Sequence, residues 1–312
     1  ELRLSNLPCS VSSRRRHIAL LFTTFSKTAE SFLQPDVAAL QAKGLKLKLY
    51  SLWGGGGIFN GLPVQTFNKW RLIEVFLLII PWQILRRPRL MRDLFEGVCT
   101  RAAPSWLNFW ENMLGAGFAG SFDREMRRDP PSLVHGAWGG APATAGWILW
   151  RMHGWRYSCG AHAYDIYEHG GDWWLLEKLR HARFIHTSTD MGRRELVARG
   201  LPSDQVQVIR RGLEKFPAYK PLRVGRQPLR LLCIARLVPK KGLDHQLGIY
   251  AALKEAGVAF EARIVGDGPL RESLASQAAQ LRLTEQLKFT GQLGQPEVWA
   301  QLAWADVLLH TG

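Results

Sequence analysis

Residues 229–242, LRLLCIARLVPKKG, constrain the fold more than any other stretch of this chain. An apolar run from Leu231 to Ala235 ends in Arg236, and a basic loop then leads into sequence of helical character. A short apolar run without alternation is typical of a buried strand in a parallel sheet, and such sheets bind ligands at the carboxyl ends of their strands. Fixed cations and backbone N–H groups at a helix start suit a diphosphate, although a solvated basic loop has the same composition.

A second segment, ARIVGDGPLRE at residues 262–272, repeats this order of strand, glycine-containing loop and helix. Its glycines, Gly266 and Gly268, allow the backbone to approach a ligand closely. Asp267 is the expected N-cap of the helix, and Pro269 suits the first helical turn. The basic loop is therefore one member of a repeated design rather than an isolated charge cluster.

A third segment, LKFTG at residues 287–291, is a short strand that ends in Gly291. Three such units within about 80 residues predict half of a doubly wound α/β sheet. The N-terminal half alternates in the same way. Its predicted strands are His17–Phe25, Leu45–Leu52, Leu133–Ala137 and Trp155–Gly160, and its predicted helices include Lys27–Lys43 and Ala143–His153.

Two stretches of the N-terminal half break this alternation. Residues 67–118 predict helices that are interrupted near Pro81, Pro88 and Pro104. The four consecutive glycines at 54–57 predict a flexible loop, with a mobile loop of a ligand site as the alternative.

The motifs ARLVPKKG, IVGDGPLRESL, KFTG and WADVLL follow one another in the C-terminal part. The N-terminal part contains FSKTAESFLQPDVAALQAKG (25–44), AHAYDIYE (161–168), ARFIHTSTDMGRREL (182–196) and VQVIRRGLEKF (206–216). In order and spacing these motifs resemble glycosyltransferase family 4, and in particular its exopolysaccharide-type members. The resemblance implies an α/β fold of GT-B type, with two Rossmann-like, doubly wound domains that face a cleft. It also implies retaining transfer of a sugar from a nucleotide-diphosphate sugar to an acceptor.

The resemblance divides the chain into an N-terminal, acceptor-side domain (1–212), a proline-rich linker (213–228) and a nucleotide-sugar-binding domain (229–312). Family members carry two glutamates, eight residues apart, just after the strand that here is ADVLLHTG (305–312). The sequence ends at Gly312. We therefore expect the second domain to be incomplete, the chain to be a fragment, and transfer activity to belong to a longer protein.

The resemblance also assigns residues of the donor site. Arg236 and Lys241 would hold the diphosphate and stabilise the negative charge that grows on it as the glycosidic bond breaks. Lys240 is expected to be a surface neighbour, because the family's lysine directly precedes the glycine. The glycines of the two following loops would contact the nucleotide, with Gly291 near the base. Enzymes of this fold use basic side chains in place of a catalytic metal, so neither a metal nor another cofactor is expected.

On the acceptor side, His162 matches the family's cleft histidine beside the donor sugar, and with Asp165 it forms the candidate catalytic pair. The alternative for His162 is a hydrogen-bonded histidine beside a turn, and Asp165 would either orient this loop or contact the acceptor. Ser26 and Glu30 lie on the first loop, where the family approaches acceptor and phosphate, and His135 is a weaker candidate. Three other histidines are expected to be structural or exposed: His169, His181 and His186.

The formal net charge of +15 favours anionic partners. The sequence contains no zinc finger, no RNP-type aromatic motif and no basic helix with base-reading spacing, so nucleic acid is not a predicted partner. The four cysteines are scattered and form no CxxC motif, which indicates a reduced, cytoplasmic protein.

Residues 72–85, LIEVFLLIIPWQIL, are strongly apolar and precede a cluster of arginines. The run is too short to span a bilayer and contains Glu74 and Pro81. We expect it to lie at an anionic membrane surface, with Trp70 and Trp82 near the head groups. The alternative is a buried helix followed by basic surface. The predicted location is therefore peripheral, at the inner face of the cytoplasmic membrane.

Three functions remain open at this point. The first is a retaining glycosyltransferase that uses a UDP- or GDP-sugar and a lipid-linked saccharide acceptor in exopolysaccharide or lipopolysaccharide biosynthesis. The second is a non-catalytic, truncated GT-B-like protein that binds membrane or polyanion. The third is a soluble transferase of the sucrose or glycogen type, from which the motifs FSKTAESF and AHAYDIYE differ.

Overall fold

The computed structural model describes residues 17–25, 33–67, 70–210, 212 and 227–312. The chain divides into two compact units, Glu1–Leu213 and Glu214–Gly312. Most of the predicted linker lies outside the described residues, so its bounds stay a prediction.

The first unit is built on an eight-stranded sheet in the order β3-β4-β2-β1-β5-β6-β7-β8. Its strands are β1 (Ile18–Phe22), β2 (Leu47–Ser51), β3 (Gly57–Phe59), β4 (Leu62–Thr66), β5 (Leu133–Gly136), β6 (Tyr157–Gly160), β7 (Ile185–Thr187) and β8 (Val206–Val208). All pairs are parallel except β3 with β4. The strand order reverses between β1 and β5, which is where a doubly wound sheet binds its ligands.

Helices cover this sheet. They are α1 (Gln34–Ala42), α2 (Arg71–Glu74), α3 (Ile80–Arg86), α4 (Pro88–Thr100), α5 (Trp106–Arg128), α6 (Ala141–His153), α7 (Ala163–Tyr167), α8 (Leu175–Arg180) and α9 (Asp190–Ala198). The long helix α5 begins at Ser105, whose side chain accepts a hydrogen bond from the backbone of Asn108 (3.1 Å). In its middle, Phe118 and Phe122 pack edge-on against the buried ring of Tyr50 and join helix to sheet.

The helical region before α4 differs from the prediction at Pro81. Helix α2, a π-helical turn (Val75–Ile79) and α3 follow one another without a gap, so Pro81 does not interrupt the helix. Proline has no N–H for the helical ladder, and the wider π-helical turn directly before it accommodates the missing hydrogen bond. The predicted break before Pro88 is confirmed, because Arg87 leaves helical geometry (φ −136°, ψ 60°).

The glycine run at 54–57 also differs from the prediction, because β3 begins at Gly57. Strands β3 and β4 form an antiparallel hairpin whose turn residues, Asn60 and Gly61, have φ values of 47° and 79°. Positive φ at both turn positions is the type I′ geometry that an Asn-Gly pair favours. The loop prediction is therefore wrong at its C-terminal end.

The second unit contains a four-stranded parallel sheet in the order β11-β10-β9-β12. Its strands are β9 (Leu229–Ile234), β10 (Phe260–Val265), β11 (Leu287–Gly291) and β12 (Val307–Leu308), and its helices are α10 (Leu243–Glu255), α11 (Arg271–Gln280) and α12 (Gln295–Trp304). The three strand-loop-helix repeats predicted from the sequence are confirmed. The order reverses between β9 and β12, beside the basic loop.

The prediction that Asp267 caps the following helix is wrong. Helix α11 begins at Arg271, and its N-cap position is Leu270. The carboxylate of Asp267 instead accepts a hydrogen bond from the backbone of Gly268 (2.8 Å) and lies 3.7 Å from the guanidinium of Arg271. Pro269 precedes the helix in a turn, which shifts the helix start beyond the reach of the Asp267 side chain.

Candidate functional site

In the second unit, the predicted donor residues all lie at the carboxyl edge of the sheet. Arg236 follows β9, Lys241 ends a 3₁₀ turn (Pro239–Lys241), and Gly242 leads into α10. The segment after β12 reaches the same loop, because the hydroxyl of Thr311 donates to the carbonyl oxygens of Gly242 (2.8 Å) and Lys241 (3.2 Å). These contacts fix the basic loop at the point where the strand order reverses.

The two predicted cations differ in exposure. Arg236 is exposed and Lys241 is half-buried. Among the described residues, neither side chain has a carboxylate within ion-pair distance or a hydrogen-bond acceptor. Both charges are therefore available to an anion, and the N-terminus of the 13-residue helix α10 lies directly after them.

The glycines of the neighbouring loops hold this edge together. Gly266 has a φ of 133°, and a Cβ atom on it would lie 1.9 Å from the carbonyl oxygen of Ala235. A Cβ on Gly268 would lie 2.5 Å from the carbonyl oxygen of Leu237. These two glycines therefore allow their own backbone to approach the Arg236 loop closely. This contact positions the Arg236 loop whether or not a nucleotide binds. Gly291 joins the same edge, because its carbonyl oxygen accepts a hydrogen bond from Gly266 (2.8 Å).

In the first unit, the predicted catalytic pair lies at the carboxyl end of β6. His162 directly precedes α7 and is buried. The carboxylate of Asp165 accepts a hydrogen bond from the backbone N–H of His162 (2.9 Å) and is only 3% exposed. Asp165 therefore orients the His162 loop, which is the first of its two predicted roles.

Two further histidines approach His162. The ring of His186 lies 5.2 Å from those of both His162 and His135, and Trp138 packs edge-on against His162 at 5.2 Å. The prediction that His186 is structural or exposed therefore did not include this cluster. Burial, and after it the charges of His186 and His162, lowers the pKa of His135 to about 3, so His135 is neutral at physiological pH.

A buried ion pair beneath this edge was not predicted. The ammonium of Lys178 pairs with Asp172, and both side chains are inaccessible to solvent. Asn112 accepts from the same ammonium (3.0 Å), and Asn108 donates to the second carboxylate oxygen of Asp172 (2.7 Å). Thr144 completes the network from α6. The network thus connects α5, α6 and α8.

Two other acids near this network have raised pKa values. Burial raises the pKa of Asp165 to about 6, with Asp172 adding to the shift. Burial also raises the pKa of Glu111 on α5 to about 7, and the neighbouring carboxylates Asp172, Asp165 and Glu168 add to it while Lys178 opposes it. Both groups therefore hold protons in the native state at pH values where they are ionised in the unfolded chain.

These shifts predict a pH dependence of stability. Because these two carboxyls bind more protons in the native state than in the unfolded chain between about pH 4 and pH 7, their contribution to the free energy of unfolding falls as pH rises through that range. The lowered pKa of His135 contributes with the opposite sign below about pH 6.5. We expect Asp165→Asn, which retains an acceptor for the His162 N–H, to flatten the curve below pH 6. Glu111→Gln should flatten it from about pH 4.5 to pH 7, including the part above pH 6 that Asp165→Asn leaves largely unchanged. Urea unfolding at half-unit pH steps, followed by tryptophan fluorescence, measures both slopes.

Asp129 provides the control for these two variants. Its hydrogen bond with Lys48 lowers the pKa of its carboxyl, so its titration lies below this pH range. Because Asp129 also raises the pKa of His17, the comparison is made in a His17→Gln background, where Asp129→Asn should leave the slope between pH 5 and pH 7 unchanged. Slopes that are the same in Asp165→Asn, Glu111→Gln and the parent chain would contradict the assignment.

Two predicted site residues, Ser26 and Glu30, lie outside the described residues. The predictions for the other seven (His162, Asp165, Arg236, Lys241, Gly266, Gly268 and Gly291) stay predictions as to function. The structure brings them together in two groups, one at a sheet edge of each unit.

Comparison with known families identifies both units. Residues 37–215 match the model of Glycosyltransferase Family 4, and residues 220–312 match that of Glycosyl transferases group 1. The first match alone covers more than half of the chain. The chain therefore belongs to glycosyltransferase family 4.

Two curated relatives act in polysaccharide assembly, according to their names. The amylovoran biosynthesis glycosyltransferase AmsK of Erwinia amylovora is 36% identical over 116 residues, which are 37% of this chain and 28% of that protein. The putative colanic acid biosynthesis glycosyltransferase WcaL of Escherichia coli K12 is 34% identical over 123 residues, 39% of this chain and 30% of that protein. The chain thus spans less than a third of the length of these relatives in the matched region.

A solved structure of similar fold is that of Anabaena HepE in complex with UDP and glucose. It matches with a TM-score of 0.60 at 15% identity, over 95% of this chain and 74% of that protein. This similarity concerns the fold alone. The predicted fold class, an α/β fold of GT-B type with Rossmann-like units, is confirmed.

Proposed function

We propose that this chain supplies the donor-binding and acceptor-side units of a retaining glycosyltransferase in exopolysaccharide or lipopolysaccharide biosynthesis. The observation that carries the proposal is the pair Arg236 and Lys241 at the switch point of the second sheet, next to the start of α10. No carboxylate of a described residue lies within ion-pair distance of either side chain. A UDP- or GDP-sugar is the proposed donor, and a lipid-linked saccharide the proposed acceptor. The names of AmsK and WcaL support a role in exopolysaccharide biosynthesis, and the UDP bound to HepE supports a nucleotide-sugar donor.

The chemistry follows from the charges. As the bond between sugar and diphosphate breaks, negative charge grows on the leaving phosphate oxygens. Preorganised cations lower the barrier most when they face that charge, and Arg236 and Lys241 would do so without a catalytic metal. For the first unit we propose His162 as the catalytic residue, with Asp165 as the residue that positions its loop. Retention of anomeric configuration is tested by NMR of the first-formed product.

Nucleotide binding tests the donor assignment directly. Calorimetric titration of the chain with UDP and with GDP should give binding by one of them, weakened at least tenfold in Arg236→Ala. Absence of binding by both nucleotides, or equal binding by the variant, would count against the proposal. Titration in the presence of EDTA separates a metal-free site from one that needs a cation.

The acceptor and membrane parts of the proposal depend on the helical region of the first unit. Within the residues that the structure describes, none of the helices has both the length and the apolar character that a bilayer crossing requires. The outer side of α2 to α5 nevertheless exposes many large apolar side chains, and an exposed patch of this kind marks an interaction site. We call it the apolar surface. Its members are Ile73, Phe76, Leu77, Leu78, Trp82, Ile84, Leu85, Phe95, Trp106, Leu107 and Trp110.

Basic residues adjoin the apolar surface. Arg86 and Arg89 lie at the junction of α3 and α4, are exposed, and make no side-chain hydrogen bond or ion pair with another described residue. Exposed tryptophans and leucines beside free arginines suit the boundary between acyl chains and anionic head groups. We therefore place the first unit at the inner face of the cytoplasmic membrane.

A double variant tests this placement. Leu77 and Leu78 are 69% and 66% exposed, so glutamates at these positions need no repacking of the core. We expect Leu77→Glu/Leu78→Glu to weaken binding to vesicles that contain phosphatidylglycerol by at least tenfold, because apolar burial is lost and like charges face the anionic lipid. Vesicle sedimentation at several salt concentrations measures the effect.

Met191→Glu on α9 is the matched control, since Met191 is 65% exposed and lies outside the apolar surface. It should bind vesicles as the parent chain does. Equal vesicle binding by all three proteins, or no binding by the parent chain, would contradict the membrane placement.

A further inference from the structure

The first unit contains an apolar cavity of about 750 Å³. Its walls come from α2, the π-helical turn, α3, α4, α5 and α6, with Trp53 and Trp174 from adjoining loops. This volume lies in the range of roughly 300–1,000 Å³ that is typical of ligand pockets. The cavity is distinct from the His162 edge and from the basic loop of the second unit, so the proposed donor and acceptor chemistry does not use it.

The cavity is suited to an occupant without polar groups. Besides tryptophan, the polar side chains among the described lining residues are Thr23, Gln83, Glu111 and Thr144. Gln83 accepts a hydrogen bond from Arg87 (2.8 Å), and Thr144 donates to Asn112 in the buried network. The raised pKa of Glu111, about 7, favours its neutral form in these surroundings. The remaining wall is aliphatic, aromatic or methionine side chains, which offer dispersion contacts to a hydrocarbon.

The cavity opens toward the apolar surface. Phe76, Phe95 and Trp110 line the cavity and are also 55%, 69% and 46% exposed, so they form its rim. The junction that carries Arg86 and Arg89 connects Gln83 and Leu90, which both line the cavity. An occupant with a hydrocarbon tail inside would thus have exposed arginine charges near its outer end.

We propose that this cavity takes one hydrocarbon chain of an anionic membrane phospholipid, whose head group pairs with the arginines at the junction of α3 and α4. The inference rests on the proposed membrane contact and deepens it. The apolar surface would lie on the bilayer, and the cavity would hold a single hydrocarbon chain of a lipid taken from that bilayer. Charge complementarity selects an anionic lipid, and the mainly aliphatic and aromatic wall selects a hydrocarbon.

A monomeric probe tests the cavity without a membrane. cis-Parinaric acid is a fluorescent, anionic single-chain fatty acid, and Trp110 and Trp174 in the wall serve as energy-transfer donors. At probe concentrations below aggregation and without vesicles, we expect saturable binding of one probe per chain. A short-chain phosphatidylglycerol should displace the probe, and the corresponding phosphatidylcholine should do so at least tenfold less well.

Two cavity-filling variants provide the decisive comparison. Leu94→Trp on α4 and Ala116→Phe on α5 add volume from two different helices of the wall, and each should weaken probe binding at least tenfold. Leu45→Trp is the matched control: Leu45 is exposed, lies before β2 and does not line the cavity. Near-UV circular dichroism identifies any variant that fails to fold, and the other cavity-filling variant then still tests the proposal.

The outcomes separate this inference from the membrane proposal. If the parent chain binds vesicles but not the probe, or if both cavity-filling variants bind the probe as the control does, the cavity assignment is wrong while the membrane placement stands. If the probe binds but vesicles do not, the membrane proposal fails and the pocket is a fatty-acid site only. Displacement by a polyprenyl phosphate but not by phosphatidylglycerol would overturn the assignment to a phospholipid.

Discussion

Replacing Lys178 by methionine is expected to lower the free energy of unfolding of the first unit by about 3–5 kcal/mol. Methionine retains much of the volume, so the loss comes from charge rather than from a cavity. The Asp172 carboxylate would remain buried, with Asn108 as a hydrogen-bond donor but without its cation. An unpaired buried charge costs far more than the pair contributed, because desolvation is no longer offset.

The exposed pair of Lys48 and Asp129 is the matched control. These side chains lie 2.9 Å apart but are 32% and 57% exposed, so Lys48→Met should change stability by less than about 1 kcal/mol. Guanidinium unfolding followed by tryptophan fluorescence measures both variants. Of the 13 tryptophans only Trp299 and Trp304 belong to the second unit, so the signal reports mainly on the first.

A double variant separates charge from packing. Lys178→Met/Asp172→Asn removes both charges and leaves Asn108 and Asn112 able to hydrogen bond with the new amide. It should recover part of the loss, since replacing a buried pair by neutral groups costs much less than breaking it. If Lys178→Met costs no more than Lys48→Met, the pair is not a buried charge pair in solution.

The parts of the fold that sequence predicts are those set by local pattern. The apolar runs of β9, β10 and β11, each followed by a glycine or a basic loop, are sufficient to predict a parallel sheet, although not the order of its strands. The hairpin at Asn60 and Gly61 had an equally local signal, the Asn-Gly pair, which the neighbouring glycine run obscured. The failure at Asp267 is also local: a proline shifted the helix start by one turn.

The features that sequence did not predict depend on distant residues. Lys178 and Asp172 are six positions apart, a spacing that places no two side chains on one helix face, and their partners come from α5 and α6. The cluster of His135, His162 and His186 likewise exists because β5, β6 and β7 are neighbours in the sheet. No local sequence pattern predicts the cavity of the first unit, because its lining residues come from five helices and a π-helical turn.

The donor site is the prediction with the largest expected effect on activity. Arg236→Ala or Lys241→Ala should lower kcat for sugar transfer by on the order of 100-fold or more, with a smaller change in KM. The effect should fall on kcat because the charge on the leaving diphosphate is greatest in the transition state. Arg236→Lys keeps one charge but loses the planar fork, so its activity should lie between those of Arg236→Ala and the parent protein.

Lys240→Ala is the control for these variants, because Lys240 is the exposed neighbour of Lys241 in the same turn. It should retain parental kcat. Arg236 is exposed, and neither cation pairs with a described residue, so alanine at these positions should leave the unfolding midpoint unchanged and the kinetic loss cannot be assigned to misfolding. A protein in which Arg236→Ala leaves polysaccharide synthesis intact would be a non-catalytic member of the family that acts by binding membrane or polyanion, since only the transferase needs a fixed cation at the carboxyl end of β9.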